Sequence, residues 1–161
     1  RSTLFPYTTL FRSPYSDLSE DELRAVAQLL MQVGVDGVIA TNTTVSRDTL
    51  PVHERVAPGD VSSFNLEAVG QSESGGQSES GGLSGAPLRP LALQAIRTLR
   101  SVLGKHVPII GVGGIASGAD VLDALDAGAD LVQVYTGLVY QGPMVIREIR
   151  AALRSRVTDS R

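Results

Sequence analysis

The apolar positions of the chain follow two alternating periods. From Ser16 onward, stretches with apolar residues three or four positions apart are separated by short apolar runs that are rich in β-branched residues. The first spacing is typical of amphipathic helices and the second of buried strands. Their alternation predicts an α/β fold in which crossover helices join the strands of a parallel sheet.

The predicted helices have clear end signals. Ser19, with Glu22 three positions later, forms a capping box, and Gly34 ends that helix. The other predicted helix ends are marked by Pro90, Gly104, Ser117 with Asp120, Gly128, and Gly142 with Pro143. The positions predicted to face the core are Leu23, Val26, Ala27, Leu30, Ala92, Ile96, Leu99, Leu103, Val121, Ala124, Leu125, Ile146, Ile149 and Leu153.

Three strands are predicted, at residues 37–40, 107–110 and 131–135. They lack a strict alternation of apolar and polar residues, which is typical of strands that are covered on both faces. An open, doubly wound sheet and an eight-stranded barrel both contain such strand and helix repeats. The order of elements alone therefore leaves both folds open.

Composition indicates a globular domain and narrows the classes of function. Of the 161 residues, 42% are hydrophobic and 19% are charged, which is ordinary for one globular core. The formal net charge is -3 and the Lys and Arg residues are scattered, so we expect no nucleic acid among the partners. The chain contains no cysteine, which excludes disulfides and thiolate metal sites from it. No apolar run reaches the roughly 18 residues that a membrane-spanning helix needs.

Three segments are predicted to lie outside the regular pattern. Residues 3–13 read TLFPYTTLFRS, which a common sequencing-adapter DNA gives in translation, so residues 1–13 are interpreted as non-native. Residues 71–82 repeat QSESGG and are predicted to form a flexible insertion. Residues 156–161 are predicted to be a frayed tail. Residues 14–155 then form one domain, and the chain is interpreted as a fragment.

The predicted strands end in unusual loops, and ligands of parallel strand-helix folds bind beyond the carboxyl ends of the strands. Residues 41–44 read TNTT, whose short polar side chains either hydrogen-bond a planar polar substrate or simply turn and cap the chain. Residues 111–115 read GVGGI, where backbone N–H groups can approach an anion, and residues 135–137 read YTG. These loops carry the candidate site.

The last two of these loops predict a phosphate-bearing cofactor. In an eight-stranded barrel, the adjacent loops after the seventh and eighth strands form the usual phosphate site, often with a short extra helix. Residues 138–141 are predicted to be that helix, so this interpretation favours the barrel. The stretch GVGGIASG does not match the GxGxxG fingerprint of dinucleotide-binding loops.

In this order, the chain contains the motifs GVDGVIATNTT, GGLSGAPL and VPIIGVGGIASGADVLDALDAGADLVQVYTGLVYQGP. Together they resemble the dihydroorotate dehydrogenase family over about residues 17–153, and VYTG is similar to its quinone-linked class (class 2). The resemblance implies a flavin mononucleotide (FMN) enzyme with a (β/α)8 TIM-barrel fold, of which this chain is the incomplete C-terminal part. It implies oxidation of dihydroorotate to orotate in pyrimidine biosynthesis and transfer of electrons to membrane quinone. It also implies a peripheral location on the cytoplasmic side of the inner membrane.

The resemblance implies roles for individual residues. Asn42 and Thr43 would hydrogen-bond the orotate ring, and Thr41 would contact the flavin. The residues that would hold the ribityl phosphate, mainly through backbone N–H groups, are Gly85, Gly114, Tyr135 and Thr136.

The resemblance also implies that catalytic groups are missing from this chain. In the family, a serine base on an upstream loop takes a proton from C5 of dihydroorotate while C6 delivers hydride to the flavin. A family lysine beside the flavin falls where this chain has the adapter-like segment, and Lys105 is predicted at the opposite rim. The fragment is therefore expected to be inert by itself and, with open edges, poorly soluble. The alternative function is that of another phosphate-binding barrel enzyme, such as a biosynthetic isomerase.

The remaining candidate residues are predicted to be surface groups. His106 belongs to the same rim as Lys105, and His53 lies in a polar connection. Asp126 and Asp130 are interpreted as solvated helix ends, without the clustering that a metal site needs. No metal is therefore expected.

Overall fold

The computed structural model of the chain describes residues 11–12, 14, 16–46 and 82–159. The strands are β1 (Phe11–Arg12), β2 (Gly37–Ala40), β3 (Ile109–Val112) and β4 (Leu131–Gln133). The helices are α1 (Glu20–Val33), α2 (Arg89–Leu103), α3 (Gly118–Ala127), α4 (Thr136–Gln141) and α5 (Met144–Asp159), with a 3-10 turn at Ala86–Leu88 before α2. His53 and the predicted insertion at residues 71–82, apart from Gly82, lie outside the described residues.

The described strands form one parallel sheet in the order β1, β2, β3, β4. Val38 pairs with Ile109 and Gly111 pairs with Val132, so strands that follow one another in the chain are neighbours in the sheet. Helix α1 connects β1 to β2, and α3 connects β3 to β4. This sequential order is that of a barrel, whereas a doubly wound sheet reverses its strand order at a switch point.

The helices cover one face of the sheet. Val38, Ile109 and Gly111 point to this face and are buried. A Cβ added at Gly111 would lie 3.1 Å from Ile96 of α2 and 3.6 Å from Ala124 of α3. The absence of a side chain at Gly111 therefore allows both helices to approach β3 closely.

No described helix covers the opposite face. Ile39, Ile110 and Leu131 lie side by side there in register, and Leu131 is 61% exposed. We call this row the inner face. Helices on one side only are typical of a barrel, since a doubly wound sheet carries them on both sides. The predicted incomplete barrel is therefore confirmed, whereas the predicted coverage of both strand faces is wrong for the described residues.

The hydrophobic core lies between the covered face of the sheet and helices α1, α2, α3 and α5. All predicted core positions of α1, α2 and α3 are buried or partly buried. Burying one such side chain, for example that of Leu99, contributes about 1.5–3 kcal/mol relative to leaving it exposed. The least exposed large side chains are Ile96, Leu99, Leu103, Ile109, Val38, Val121, Val145 and Thr44.

The predicted end signals of the first and third helices are confirmed. The Ser19 hydroxyl accepts from the N–H of Glu22 (3.3 Å), and the Glu22 carboxylate accepts from the N–H of Ser19 (2.8 Å). Hydrogen bonds from the Ser19 side chain and then from its backbone lower the pKa of Glu22 from its ordinary value of 4.5. Ser117 caps α3. Gly34 and Gly128 end the two helices with φ angles of 74° and 115°, which favour glycine.

Strand β1 lies inside the segment that the sequence sets apart as adapter-like. Phe11 pairs with Gly37 and Arg12 pairs with Val38. Two residues of this segment therefore take part in the sheet. Strand pairing uses backbone N–H and C=O groups, so the edge of β2 accepts an extended segment whatever its side chains are. The origin of the segment in adapter DNA stays a prediction.

Strand β3 begins later than predicted, at Ile109 and not at residue 107. Pro108 has no N–H to donate to the ladder, and only its carbonyl takes part, accepting from the N–H of Val38 at 3.0 Å. The apolar run in the sequence does not reveal this, because Val107 is buried without being paired.

Strand β4 is shorter than predicted, and the helix after it is longer. The strand ends at Gln133, and Tyr135 already has the non-extended backbone that precedes α4. The predicted short helix at residues 138–141 is present but begins at Thr136. An early turn into α4 brings its first residues to the carboxyl end of the sheet.

Helix α5 buries a face that differs from the predicted one. Val145 and Ile149, four positions apart, are buried, and Leu153 is partly buried. The predicted core residue Ile146 is 42% exposed. It lies about 100° round the helix from Val145, since each residue of an α-helix turns the chain by that angle. The prediction for Ile146 is therefore wrong.

The C-terminal tail is more ordered than predicted. Helix α5 continues to Asp159, so residues 156–159 of the predicted frayed tail are helical. Arg156 forms an ion pair of 2.5 Å with Asp126 of α3, and this contact holds the end of α5 against α3.

Candidate functional site

A cavity of about 260 Å³ lies at the carboxyl ends of β2, β3 and β4. Its walls come from the loops after these strands and from the segment before α2. Its volume falls just below the roughly 300–1,000 Å³ that is usual for small-molecule sites, so these walls form part of such a site. It is lined by Thr41, Asn42, Thr43, Ser84, Leu88, Val112, Gly113, Gly114, Ile115, Gln133, Tyr135 and Thr136.

The first wall is the TNTT loop, residues 41–44. Thr41 is 4% exposed, and its N–H donates to the carbonyl of Val112 at 2.8 Å, which holds the loop beside β3. The Thr41 hydroxyl is buried and has no hydrogen-bond partner among the described residues. A buried hydroxyl without a partner costs about 1–3 kcal/mol. It is therefore suited to a ligand atom in the cavity.

Asn42 and Thr43 are more accessible than Thr41. The side-chain oxygen of Asn42 accepts from the N–H of Thr43 at 2.8 Å. Because this bond uses the oxygen, the NH2 group is the donor that a ligand can meet. The carbonyl of Thr43 accepts from the Ser16 hydroxyl at 2.9 Å, which anchors the loop to the residues before α1.

The second wall is the segment at residues 82–85, which lies against the TNTT loop. Leu83 and Thr44 exchange two backbone hydrogen bonds of 2.6 and 3.2 Å. The Ser84 hydroxyl lies 2.7 Å from the Thr136 hydroxyl at the start of α4. This segment therefore joins the loop after β2 to the loop after β4.

The third wall is the glycine loop, residues 113–117, which follows β3. Gly113 and Gly114 have φ angles of 124° and 70°, in which a side chain is strained. A Cβ added at Gly114 would lie 2.5 Å from the Cβ of Arg89, and one at Gly113 would lie 2.9 Å from the Cβ of Ala92. Glycine is therefore required at both positions, and both line the cavity.

The start of α4 closes the site. Tyr135 is 75% exposed and Thr136 is half-buried, and both line the cavity. Gly85 supports this wall from behind, because a Cβ added there would meet the Thr136 methyl group at 3.3 Å. The φ angle of Gly85 is 85°, which again favours glycine.

The cavity wall is polar but carries no formal charge. None of the described lining residues is a carboxylate, histidine, lysine or arginine. Hydroxyl, carboxamide and backbone N–H groups can bind a polar ring or a phosphate. Proton transfer near neutral pH needs a further group that these residues do not supply.

The structure brings most of the predicted site residues together. Gly85 is the exception, since it supports the wall without lining the cavity. Two lining residues are not among the predicted ones: Ser84, which the motif GGLSGAPL contains, and Gln133, whose place on the cavity side follows from strand register. The predicted residues that line the cavity are Thr41, Asn42, Thr43, Gly114, Tyr135 and Thr136.

Two other candidate residues lie away from the cavity. Lys105 and His106 are exposed and precede β3, at the opposite edge of the sheet.

Among the described residues, no group of three or more His, Asp or Glu side chains is placed to hold a metal ion. In the same ranges, no helix has the length and apolar character needed to cross a membrane.

Asp130 is more than a solvated helix end. Its carboxylate accepts from the N–H of Ile109 at 2.8 Å and pairs with the guanidinium of Arg100. Arg100 also donates to the carbonyl of Gly128 at 2.8 Å. These contacts hold α2, the end of α3 and the start of β3 together at the edge of the sheet opposite the cavity. Asp126 is an exposed helix end, as predicted, and pairs with Arg156, whereas the prediction is incomplete for Asp130 because of these contacts.

The sequential parallel sheet, its one-sided helices and the polar cavity at its carboxyl edge define part of a barrel of the kind that carries its ligand site at that rim. Residues 13–157 match the model of the family "Dihydroorotate dehydrogenase". The chain belongs to the dihydroorotate dehydrogenase family.

Relatives and solved structures agree with this assignment. Proteins named dihydroorotate dehydrogenase (quinone) from Paracidovorax citrulli and Chromobacterium violaceum are 44% and 45% identical over 139 and 136 residues, which is 86% and 84% of this chain. These stretches are 33% of each relative, so the chain spans about a third of the curated relatives it matches. A structure of DHODH from Eimeria tenella in complex with ferulenol aligns with a TM-score of 0.71 and 30% identity, over 94% of this chain and 35% of that chain.

Proposed function

We propose that this chain is the C-terminal part of an FMN enzyme that oxidises dihydroorotate to orotate in pyrimidine biosynthesis and passes the electrons to a quinone. Family membership and the names of the relatives support the reaction. The observation that carries the proposal is the cavity, where the loops predicted for substrate and for cofactor meet.

The residues of the cavity fit a flavin phosphate. Gly113 and Gly114 pack tightly on the start of α2 and line the cavity, so the loop backbone can present its N–H groups to an anion there. The Ser84 and Thr136 hydroxyls stand together at the same rim and can donate to phosphate oxygens. Thr41 supplies the unpartnered hydroxyl that a ligand ring atom would satisfy. When bound, the flavin would supply the hydride acceptor for the reaction.

Asn42 and Thr43 fit the substrate. They stand at the accessible side of the TNTT loop and offer an amide donor and a hydroxyl. Orotate and dihydroorotate carry ring carbonyls, ring N–H groups and a carboxylate, which such groups bind and orient. We assign no base to the described residues, because none that lines the cavity is a carboxylate, a histidine or a lysine.

The remaining parts of the proposal rest on family membership alone. The quinone acceptor follows the names of the relatives. Peripheral attachment to the cytoplasmic side of the inner membrane, through segments other than those described, is proposed with it. By itself, the 161-residue chain is proposed to be inert, because the serine base of the family lies on a loop upstream of the residues that resemble it.

The test uses a fusion protein in which residues 14–159 replace the matching C-terminal third of the Paracidovorax citrulli relative. The fusion is expected to purify with bound FMN and to reduce a quinone when dihydroorotate is added. Asn42→Ala is expected to raise the KM for dihydroorotate by roughly tenfold, the value of a lost hydrogen bond to a charged ligand, and to leave the FMN content unchanged.

Gln94→Ala is the matched control, since Gln94 is an exposed amide on α2 outside the cavity. It should leave both the KM and the FMN content unchanged. A fusion that folds but is colourless and does not take up FMN would refute the cofactor proposal. An unchanged KM in Asn42→Ala would refute the substrate assignment, and turnover by the 161-residue chain alone would refute its inertness.

A further inference from the structure

The glycine loop, residues 113–117, is held in place from several sides by residues that do not line the cavity. Its backbone faces the cavity on one side, and the first turns of α2, α3 and α4 surround it on the others. The groups that fix this loop decide where its N–H groups point. They are therefore candidates for a positioning role toward the ligand.

Asp120, in the first turn of α3, makes the most specific of these contacts. It is buried, and one carboxylate oxygen accepts from the N–H of Ala116 at 3.0 Å and from the Ser117 hydroxyl at 2.9 Å. The Ser117 hydroxyl in turn accepts from the N–H of Asp120 at 3.2 Å. Two successive residues of the glycine loop are thus tied to one buried carboxylate.

Arg89 neutralises that carboxylate and also touches the loop. Its guanidinium lies 2.5 Å from the second carboxylate oxygen of Asp120. Its own backbone, at the start of α2, lies directly under Gly114, where an added Cβ would be 2.8 Å from the Arg89 N and Cα atoms. The ion pair therefore joins the starts of α2 and α3 across the glycine loop.

Helix α4 holds the same loop from the third side, through residues at both of its ends. Gln141 donates its side-chain amide to the carbonyl of Ala116 at 2.8 Å. Gly137 lies so close to the carbonyl of Ile115 that an added Cβ would overlap it. Both backbone groups of Ala116 are consequently engaged, its N–H by Asp120 and its carbonyl by Gln141.

We propose that the ion pair between the buried Asp120 and the half-buried Arg89 is a positioning device that sets the N–H groups of the glycine loop toward the phosphate of the flavin. This inference rests on the proposed function, because it takes FMN as the ligand. Neither side chain reaches the cavity, so both act through the backbone of the loop. We therefore expect the pair to affect the binding of the phosphate and not the binding of the flavin ring.

The direction in which Asp120→Asn changes the affinity for FMN distinguishes a positioning role from a purely electrostatic one. Asp120→Asn removes a negative charge and leaves Arg89 paired with Asp123 alone, so the electrostatic field alone would strengthen the binding of an anion. The same change weakens the bonds that fix Ala116 and Ser117. Positioning therefore predicts weaker binding of FMN, although the local charge becomes more favourable.

The experiment compares FMN with riboflavin, which has the same ring and ribityl chain but no phosphate, in fluorescence titrations of the fusion protein. Asp120→Asn is expected to weaken FMN binding roughly tenfold and to leave riboflavin binding within about twofold. Arg89→Gln is expected to give a smaller loss with the same selectivity for FMN. Asp126→Asn is the control, because this exposed carboxylate of α3 pairs with Arg156 far from the glycine loop.

Each outcome decides between stated alternatives. Equal losses for FMN and riboflavin in Asp120→Asn would show a merely structural role and overturn the inference. Unchanged or tighter FMN binding would overturn it as well. If the parent fusion binds neither flavin, the proposed function itself fails, which is distinguishable because the loss then precedes any substitution. The midpoints of urea denaturation show whether each variant is folded. If Asp120→Asn is unfolded, the affinities of Arg89→Gln for FMN and riboflavin decide the question.

Discussion

Thr41 and Thr44 stand three positions apart in the TNTT loop and are both buried, but their hydroxyls have different surroundings. The Thr44 hydroxyl donates to the carboxylate of Asp17 and accepts from the N–H of Ser46 at 2.9 Å. The Thr41 hydroxyl has no partner among the described residues and borders the cavity. A polar group left in this state destabilises the free protein while favouring a ligand that satisfies it.

Thr41→Val is therefore expected to raise the free energy of unfolding of the chain by about 1 kcal/mol, because valine has the same shape and lacks the unpaired hydroxyl. In the fusion protein, the same replacement is expected to weaken FMN binding several-fold. Urea denaturation measures the first effect and flavin titration the second.

The matched replacement is Thr44→Val, which removes a hydroxyl that already has partners. It should lower the free energy of unfolding by about 1–3 kcal/mol, since it leaves the carboxylate of Asp17 and the N–H of Ser46 without that partner. Stability changes of the same sign in both variants would contradict the ligand role of Thr41.

Helix α1 shows how strongly local sequence specifies an element. Acidic residues occupy its first turn, where they complement the positive end of the helix dipole. Leu23, Ala27 and Leu30 fall on the face that packs toward α2 and the sheet. The start of the helix is specified by Ser19 and Glu22, which lie only three positions apart.

Ser19→Ala is expected to lower the free energy of unfolding by about 1 kcal/mol at pH 7, since it removes the cap. The lowered pKa of Glu22 means that its carboxylate stabilises the folded state above pH 4.5, and that this contribution disappears as the pH falls through the lowered value. The effect of Ser19→Ala should therefore be smaller at pH 3 than at pH 7. Urea denaturation at the two pH values measures the difference.

Ser155→Ala provides the comparison, because Ser155 is an exposed serine in the interior of α5. Alanine has the higher helix propensity there, so this replacement should be neutral or slightly stabilising at both pH values. A loss at Ser19 that does not change with pH would show that Glu22 takes no part in the cap.

The molecule as a whole is a sheet with one covered and one uncovered face in the part that the structure describes. Ile39, Ile110 and Leu131 form the apolar inner face, which in a closed barrel is filled by side chains from other strands. An exposed apolar row of this kind favours association between copies of the chain.

Leu131→Gln is expected to increase the monomeric fraction of the 161-residue chain several-fold, because it places a polar side chain at the exposed end of the inner face, on the edge strand β4. Sedimentation velocity at matched concentrations measures this fraction. Leu29→Gln is the control, since Leu29 is similarly exposed but lies on the outer surface of α1. Equal effects of the two replacements would show that association does not use the inner face.

Most of the fold and much of the site follow from short-range pattern. The capping box at Ser19, the left-handed glycines at Gly34 and Gly128, and the apolar spacing of α2 each act within a few positions of the chain. The loop chemistry after each strand is equally local, so the sequence predicts that the strand ends carry the site. The assignments of substrate and cofactor to individual residues stay predictions.

Long-range contacts account for the features that the pattern misses. Register places Gln133 on the cavity side, and the hydroxyl contact with Thr136 brings Ser84 to the same rim. The face of α5 that is buried depends on where α3 lies, which selects Val145 over its equally apolar neighbour Ile146.

Local pattern therefore suffices for the type and order of the predicted elements and for the ends of α1 and α3, because capping, turn geometry and apolar spacing depend on neighbours in the chain. The unpaired hydroxyl of Thr41, the uncovered inner face and the ion pair between Arg89 and Asp120 become visible only in the folded molecule. Each is defined by the distance between segments that lie far apart in sequence, and no periodicity encodes such a distance.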